Sequence, residues 1–334
     1  MHRRTLLGTA LTAGVASALA PVAATAADSA ADSAAGQSHP FDLTAAAAPL
    51  FTEAPLHDAT VLQSFGFDDR NHRVYAVQLM AGGTQLPGED APVSGAQRAA
   101  NGDLCLTELD ETGRQTGYMY LPGFGHGVQI GVQPAGRDSL LWTETASNNE
   151  NTATGWGTRL TRFPFRAGTV LSAADVQQYA LLPDVDRTTC NVDMVHRHLV
   201  MRYRSAGAFR YGVFGLDGAC DGIGHDTPVY DVAQPTLPGT FQGFAAYGRF
   251  LYLLTGDAYG AAGSTPPVGD TYLTAVDLTD GQIVDQQPCT ALPELSYREP
   301  EGVSVRVVRG QAKLCFGFAS GVAGDRRATV LALG

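Results

Sequence analysis

Eleven side chains in this sequence could do chemistry together if the fold gathers them: Gln63, Gln78, His126, Trp142, Glu144, Arg202, Arg204, Gln242, Arg298, Glu299 and Glu301. Amides and carboxylates hydrogen-bond hydroxyls, guanidinium forks hold phosphates, and an indole offers its face to a sugar ring. The mixture suits a polyhydroxylated or phosphorylated ligand. His126 stands between Gly125 and Gly127, where a missing Cβ permits close backbone approach. Glu144, Glu299 and Glu301 could instead supply an acid and a base, provided two carboxyls stand about 5–9.5 Å apart. Against these readings, Glu144, Arg202 and Glu301 could form an ion-pair network in a protein hub, and Trp142 lies on an apolar run that favours a core position. No nucleophile elbow, phosphate-binding Walker loop, HExxH motif or EF-hand loop occurs, and no cofactor or metal site is expected. The Asp/Gly-rich stretch 217–226 lacks EF-hand spacing and reads as a solvated turn.

These residues are spread over some 240 positions, so something must bring them together. A repeat does. Short segments beginning at Gln63, His126, Cys190, Gln242 and Glu301 recur at intervals of 63, 64, 52 and 59 residues. Each is followed by a strand-like run (73–78, 140–144, 199–204, 250–255, 313–318) and a third segment often closed by a turn such as Thr112-Gly113 or Asp280-Gly281. Outer strands are expected at 116–121, 176–182, 228–232 and 283–287. A repeat of this length without helical periodicity marks an all-β, five-bladed propeller with four strands per blade. The fifth repeat has no outer strand of its own, and the segment near 41–51 is expected to supply it and close the ring. In such a ring the first strands point at one axis, which is where the candidate side chains would meet.

Composition agrees. The 39 glycines, 18 prolines and 16% charged residues suit many short strands and tight turns. Net charge is −11, becoming −13 without Arg3 and Arg4, which argues against nucleic acid as a partner. Residues 1–26 read as a cleaved export leader, with adjacent Arg3 and Arg4, an apolar stretch to Ala20 and a small-residue site at Ala24-Thr-Ala26; the arginine pair resembles a twin-arginine signal. Residues 27–40 read as a linker and 41–334 as the propeller, expected to be secreted, monomeric and without a membrane span. Of the five cysteines, Cys105 and Cys315 sit in strand patterns as small apolar residues, and a bridge between Cys220 and Cys289 is possible.

The chain also resembles a known family. The stretches Val61-Leu-Gln-Ser-Phe-Gly-Phe-Asp68, Gly123-Phe-Gly-His-Gly127, Leu141-Trp-Thr-Glu-Thr145, Val200-Met-Arg-Tyr-Arg204, Gly239-Thr-Phe-Gln-Gly243 and Arg298-Glu-Pro-Glu-Gly302 are similar to those of secreted actinobacterial proteins labelled teichoic acid biosynthesis protein C. That family shares a propeller domain with receptor-binding proteins of phages that attack Gram-positive cells, and helveticin-like bacteriocins resemble it as well. The resemblance spans all five repeats. It implies a five-bladed propeller that attaches to a cell-wall glycopolymer or surface glycan. A hydrolase is the competing expectation, because five-bladed propellers include furanosidases whose carboxylates converge from different blades. The lack of a central Asp on most first strands favours binding without catalysis, with Arg202 and Arg298 expected to grip an anionic group of the polymer.

Overall fold

The computed structural model describes residues 39–150, 152–221 and 227–334, apart from the side chains of residues 220 and 221. The leader expected over 1–26 and most of the linker lie outside these residues. Short, mostly apolar runs that bury both faces fold the chain into five sheets, antiparallel except for the two-residue strand Thr169–Val170. Blade 1 runs outward through Leu62–Asp68, Arg73–Leu79, Leu104–Asp110 and Gln115–Leu121. Blade 2 is Gly131–Ala135, Asp138–Asn148, Trp156–Pro164 and Gln178–Tyr179, and blade 3 is Arg187–Asp193, His198–Ser205, Ala208–Gly215 and Tyr230–Ala233. Blade 4 comprises Phe241–Tyr247, Phe250–Thr255, Tyr272–Asp277 and Ile283–Pro288. Blade 5 takes Glu299–Val308, Gln311–Val322 and Asp325–Leu333 from the end of the chain and Ala47–Pro55 from its beginning, paired antiparallel from Ala47↔Leu333 to Pro55↔Arg327.

The closing strand is therefore real but sits later than the expected 41–51. Its earlier part does other work: Leu43 enters the core between blades 4 and 5, and the Phe41 N–H donates to the Tyr252 hydroxyl at 3.0 Å. Two further expectations shift. After Trp156–Pro164 the chain first adds a parallel strand, Thr169–Val170, to the edge of blade 1, so the outer strand expected over 176–182 shrinks to two residues. At Asp217-Gly218, the start of the stretch read as a solvated turn, a short helix (Leu216–Asp221) forms instead, with Asp217 in its first turn where the helix dipole favours negative charge. Hairpins elsewhere match their turn chemistry. The Asp110 carboxylate accepts from the Thr112 and Arg114 amides, and Gly113 takes the positive φ of 82° that closes the turn.

Side chains alternate between the two faces of each blade, so successive residues pack against opposite neighbours. Phe316 and Phe318 face blade 4, whereas Cys315 and Ala319 face blade 1. Leu199 and Met201 face blade 2, whereas Val200 faces blade 4. Apolar layers of this kind fill all five junctions, including the one between blades 5 and 1. Cys105, Cys190, Cys289 and Cys315 are buried and unbridged, so the Cys220–Cys289 bridge is not made. Among the described residues no helix is long and apolar enough to cross a membrane.

Candidate functional site

Three inner strands share one irregularity. In blade 1 the ladder passes from Leu62↔Gln78 to Ser64↔Val77, leaving Gln63 unpaired. In blade 4 it passes from Phe241↔Thr255 to Gly243↔Leu254, leaving Gln242 unpaired. In blade 5 it passes from Pro300↔Phe318 to Val303↔Phe316, leaving Glu301 and Gly302 against a single residue. A bulge turns a side chain out of its alternating direction, and bulges recur beside binding sites for that reason. Here they mark the axial starts of the strands. Gly302, at φ 76°, is needed there because a Cβ would come within 2.9 Å of the Ser64 backbone.

Gln63, His126, Gln242, Glu299 and Glu301 line one cleft of about 720 Å3, within the size range of small-ligand sites. Its other walls include Thr240, Asp257, Tyr297 and Arg326, together with Met80, Gly82 and Ala99 from the insertion between the second and third strands of blade 1. The Gln242 side chain donates to the Gly256 carbonyl at 2.9 Å, and Thr240 donates to Asp257 at 2.8 Å. Arg326 lies over the Tyr297 ring at 3.3 Å and donates to the Gly321 carbonyl. Tyr297 and Arg298 both have positive φ, 67° and 43°, so the chain enters blade 5 through a strained turn at the cleft wall.

Burial sets the electrostatics. Glu301 is buried, and its carboxyl is pushed well above the usual range, first by burial and then by the neighbouring charge of Glu299. Glu299 is raised less: burial and Asp257 push it up, while the Tyr297 hydroxyl and Arg326 pull it down. His126 is pushed down to about 4 by burial and by Arg187, so its imidazole is neutral near pH 7. Its ring stacks on Trp156 at 4.4 Å, and its Nδ1 has no hydrogen-bond partner among the described residues. The cleft thus offers amides, a neutral imidazole, two carboxyls of which Glu301 is the more reluctant to ionise, a phenol and one guanidinium.

The remaining sequence candidates are placed elsewhere. Arg298 is fully buried, and its guanidinium donates to the carbonyls of Cys289 and Ala291 at 2.8–3.0 Å and to the Thr271 hydroxyl at 3.2 Å while packing over Phe318. It fastens the chain ahead of blade 5 and has no fork left for an anion. Arg202 is also buried, flanked by the rings of Phe209 and Phe241 at 3.6 and 3.8 Å, with Nε donating to Gln234. Gln78 is buried and donates to the carbonyls of Asp58 and Thr60. Trp142 is core, its indole N–H donating to Gln133 at 3.0 Å. Arg204 pairs with Asp186, away from the cleft.

Glu144 is corrected as well. Its two oxygens accept the Gly127 and Gly157 amides at 2.8 and 2.6 Å, and burial raises it to about 7. The close approach permitted by Gly125 is made to this carboxylate, since a Cβ there would fall 2.2 Å from Oε2. Nor do Glu144, Arg202 and Glu301 form a hub network with one another. The hub is Gln129, which sequence reasoning missed: its amide donates to the Val303 carbonyl at 2.9 Å and accepts the Phe244 amide, while its own carbonyl accepts Thr189. Tyr297, Arg326, Asp257 and Thr240 were missed too. Tyr297 carried a signal, standing two residues before Glu299 at the start of the fifth repeat; Arg326 carried none.

Comparison with known proteins gives three results. The family described as phage 5-bladed beta propeller receptor binding platform domain matches residues 61–332. A Bacillus subtilis (strain 168) protein named "Putative major teichoic acid biosynthesis protein C" is 30% identical over 306 residues, which cover 87% of this chain and 63% of that protein. The tail fiber of Staphylococcus aureus phage P68 superposes with a TM-score of 0.66 at 17% identity, over 87% of this chain and 53% of that one. The chain thus spans less than two thirds of either relative's length.

Proposed function

Because this chain belongs to the phage five-bladed β-propeller receptor-binding platform family, we propose that it is a cell-surface glycan-binding module whose axial cleft takes a polyhydroxylated unit of an anionic wall polymer, without chemistry. The observation that carries this reading is the convergence of Gln63, Gln242 and Glu301, each re-aimed by a bulge, with His126, Glu299, Tyr297 and Arg326 in one cleft. Amides and carboxyls satisfy hydroxyls, and Tyr297 and His126 add ring edges and faces. The teichoic-acid-related relative supports a wall polymer as the target, and the leader read at residues 1–26 would deliver the propeller, residues 41–334, outside the cell by way of the linker at 27–40. Pull-down on isolated cell walls tests this. Retention of the protein that purified teichoic acid competes away is expected; retention unaffected by any wall polymer overturns it.

A second reading has one specific observation behind it. Glu299 and Glu301 stand in the same cleft with raised carboxyls, the arrangement that separates a general acid from a base. Glu144 is no part of this, being held by backbone amides. Incubation with teichoic acids and arabinan-type polymers, followed by assay for new reducing ends and phosphomonoesters, decides the matter. Turnover that disappears in Glu299→Gln or Glu301→Gln makes the protein a hydrolase.

A further inference from the structure

Beside the mouth, at the junction of blades 2 and 3, a smaller cleft of about 130 Å3 is lined by Asn148, Glu150, Trp156, Asp186, Arg187 and Arg204. The two arginines differ. Arg204 is spent, its Nε and Nη2 each donating at 2.8 Å to separate oxygens of Asp186. Arg187 lies over the Trp156 ring at 4.7 Å, and its guanidinium makes no hydrogen bond or ion pair with another described residue. A guanidinium has five N–H donors, and a half-buried one without acceptors is a group waiting for a partner. Burial and the neighbouring Arg204 both disfavour its charge, and Asp186 offsets this only in part, being already held by Arg204. Nearby, the Asn148 carbonyl oxygen accepts the Glu150 amide at 2.8 Å, and its NH2 has no partner among the described residues. Trp156 connects the two clefts, since the same ring stacks on His126, which lines the mouth.

We propose that this cleft is an oxyanion subsite in which Arg187, on its Trp156 platform, binds the phosphodiester of the polymer whose polyol or sugar unit occupies the mouth. The assignment rests on the glycan-binding reading and deepens it. It accounts for how a mouth lined by Asp257, Glu299 and Glu301, with Arg326 as its guanidinium, could hold an anionic polymer. The repeat unit and its charge are received in adjacent places, and the planar fork gives the two parallel N–H bonds that a phosphate accepts best.

The test uses the full chain and four probes: a polyol phosphodiester oligomer, a uronate oligomer of equal length, a neutral polyol of the same unit, and dimethyl phosphate. Indole fluorescence reports binding, with Trp156→Phe assigning the signal against the buried Trp142. Arg187→Gln is expected to bind the phosphodiester oligomer about tenfold more weakly, the scale of one charge-assisted hydrogen bond, and with a shallower salt dependence. The neutral polyol should bind both proteins alike. Equal affinity and equal salt dependence in Arg187→Gln overturn the proposal, and uronate bound as tightly as phosphodiester overturns the phosphate assignment. Arg187→Lys, which keeps the charge and loses the fork, decides if the glutamine variant does not fold: unchanged affinity there counts against the site. Should the wild type bind neither oligomer, the glycan reading fails. The subsite then stands only if dimethyl phosphate still perturbs Trp156 in the wild type and not in the Arg187 variant, and falls otherwise.

Discussion

Glu301 shows how one residue's surroundings decide what it can do. In water it would be an anion; buried on the axis beside Glu299, it keeps its proton well above the usual range. A carboxyl whose folded-state value is raised binds more protons folded than unfolded, so its contribution to stability is fully present below the ordinary value and is lost as pH rises through the folded one. Glu144, raised to about 7, acts in the same direction. These two carboxyls should therefore pull the melting temperature down between about pH 4.5 and 7, against the opposite pull of His126, whose lowered value makes stability rise with pH over the same range. Relative to the wild type, the curve of Glu301→Gln should tilt upward with pH, and equal slopes would contradict the burial argument. Arg298 makes the complementary point. Its position at the start of a first strand suggested a ligand contact, yet its donors go to carbonyls at the entrance to blade 5. Arg298→Met leaves those carbonyls buried and unpaired and should cost about 2–4 kcal/mol in denaturant unfolding.

At the scale of elements, the wall of the mouth depends on the insertion between Arg73–Leu79 and Leu104–Asp110. It contains a single short helix, α1 (Gly95–Asn101), capped by Ser94 and ended by Gly102. Arg98 anchors it from within, donating to both Glu89 oxygens, to Asp103 and to the Thr84 carbonyl. Removing one member of a buried ion cluster typically costs about 3–5 kcal/mol. Arg98→Met should free the insertion, open residues 80–103 to limited proteolysis and weaken glycan binding while the other blades stay folded. Resistance to protease equal to the wild type would show that the wall is held by something else. Strand repeats made the blades readable because alternation and turn residues are local signals. The bulges that aim Gln63, Gln242 and Glu301 were not readable, because a bulge is defined by its partner strand.

For the molecule as a whole, the five-fold repeat was legible and so was the need for a closing strand. Which residues close the ring was legible only roughly, since both 41–46 and 47–55 are apolar enough to pack and only tertiary competition assigns one to the core and the other to the sheet. Polar residues near the axis were found by position, but their direction was not: Gln78 and Glu144 turned into the protein, and Gln63 and Gln242 turned out. Removing residues 39–55 should open the junction of blades 5 and 1, expose Val330 and Leu331 and lower the unfolding temperature sharply, with loss of a single cooperative transition. A variant that melts as the wild type does would mean that the ring does not depend on this strand.

The central claim is that the bulged axial residues form a glycan-binding mouth. Calorimetric titration of purified teichoic acid into the wild type and into the double variant Gln63→Ala, Gln242→Ala tests it most directly. These two side chains contribute little to the fold: Gln63 makes one long contact with its neighbour's carbonyl, and Gln242 bonds one loop carbonyl. Saturable binding by the wild type, weakened at least about tenfold in the double variant at unchanged melting temperature, is the expected result, the loss being that of one to two hydrogen bonds. Undiminished binding by a fully folded double variant would contradict the account.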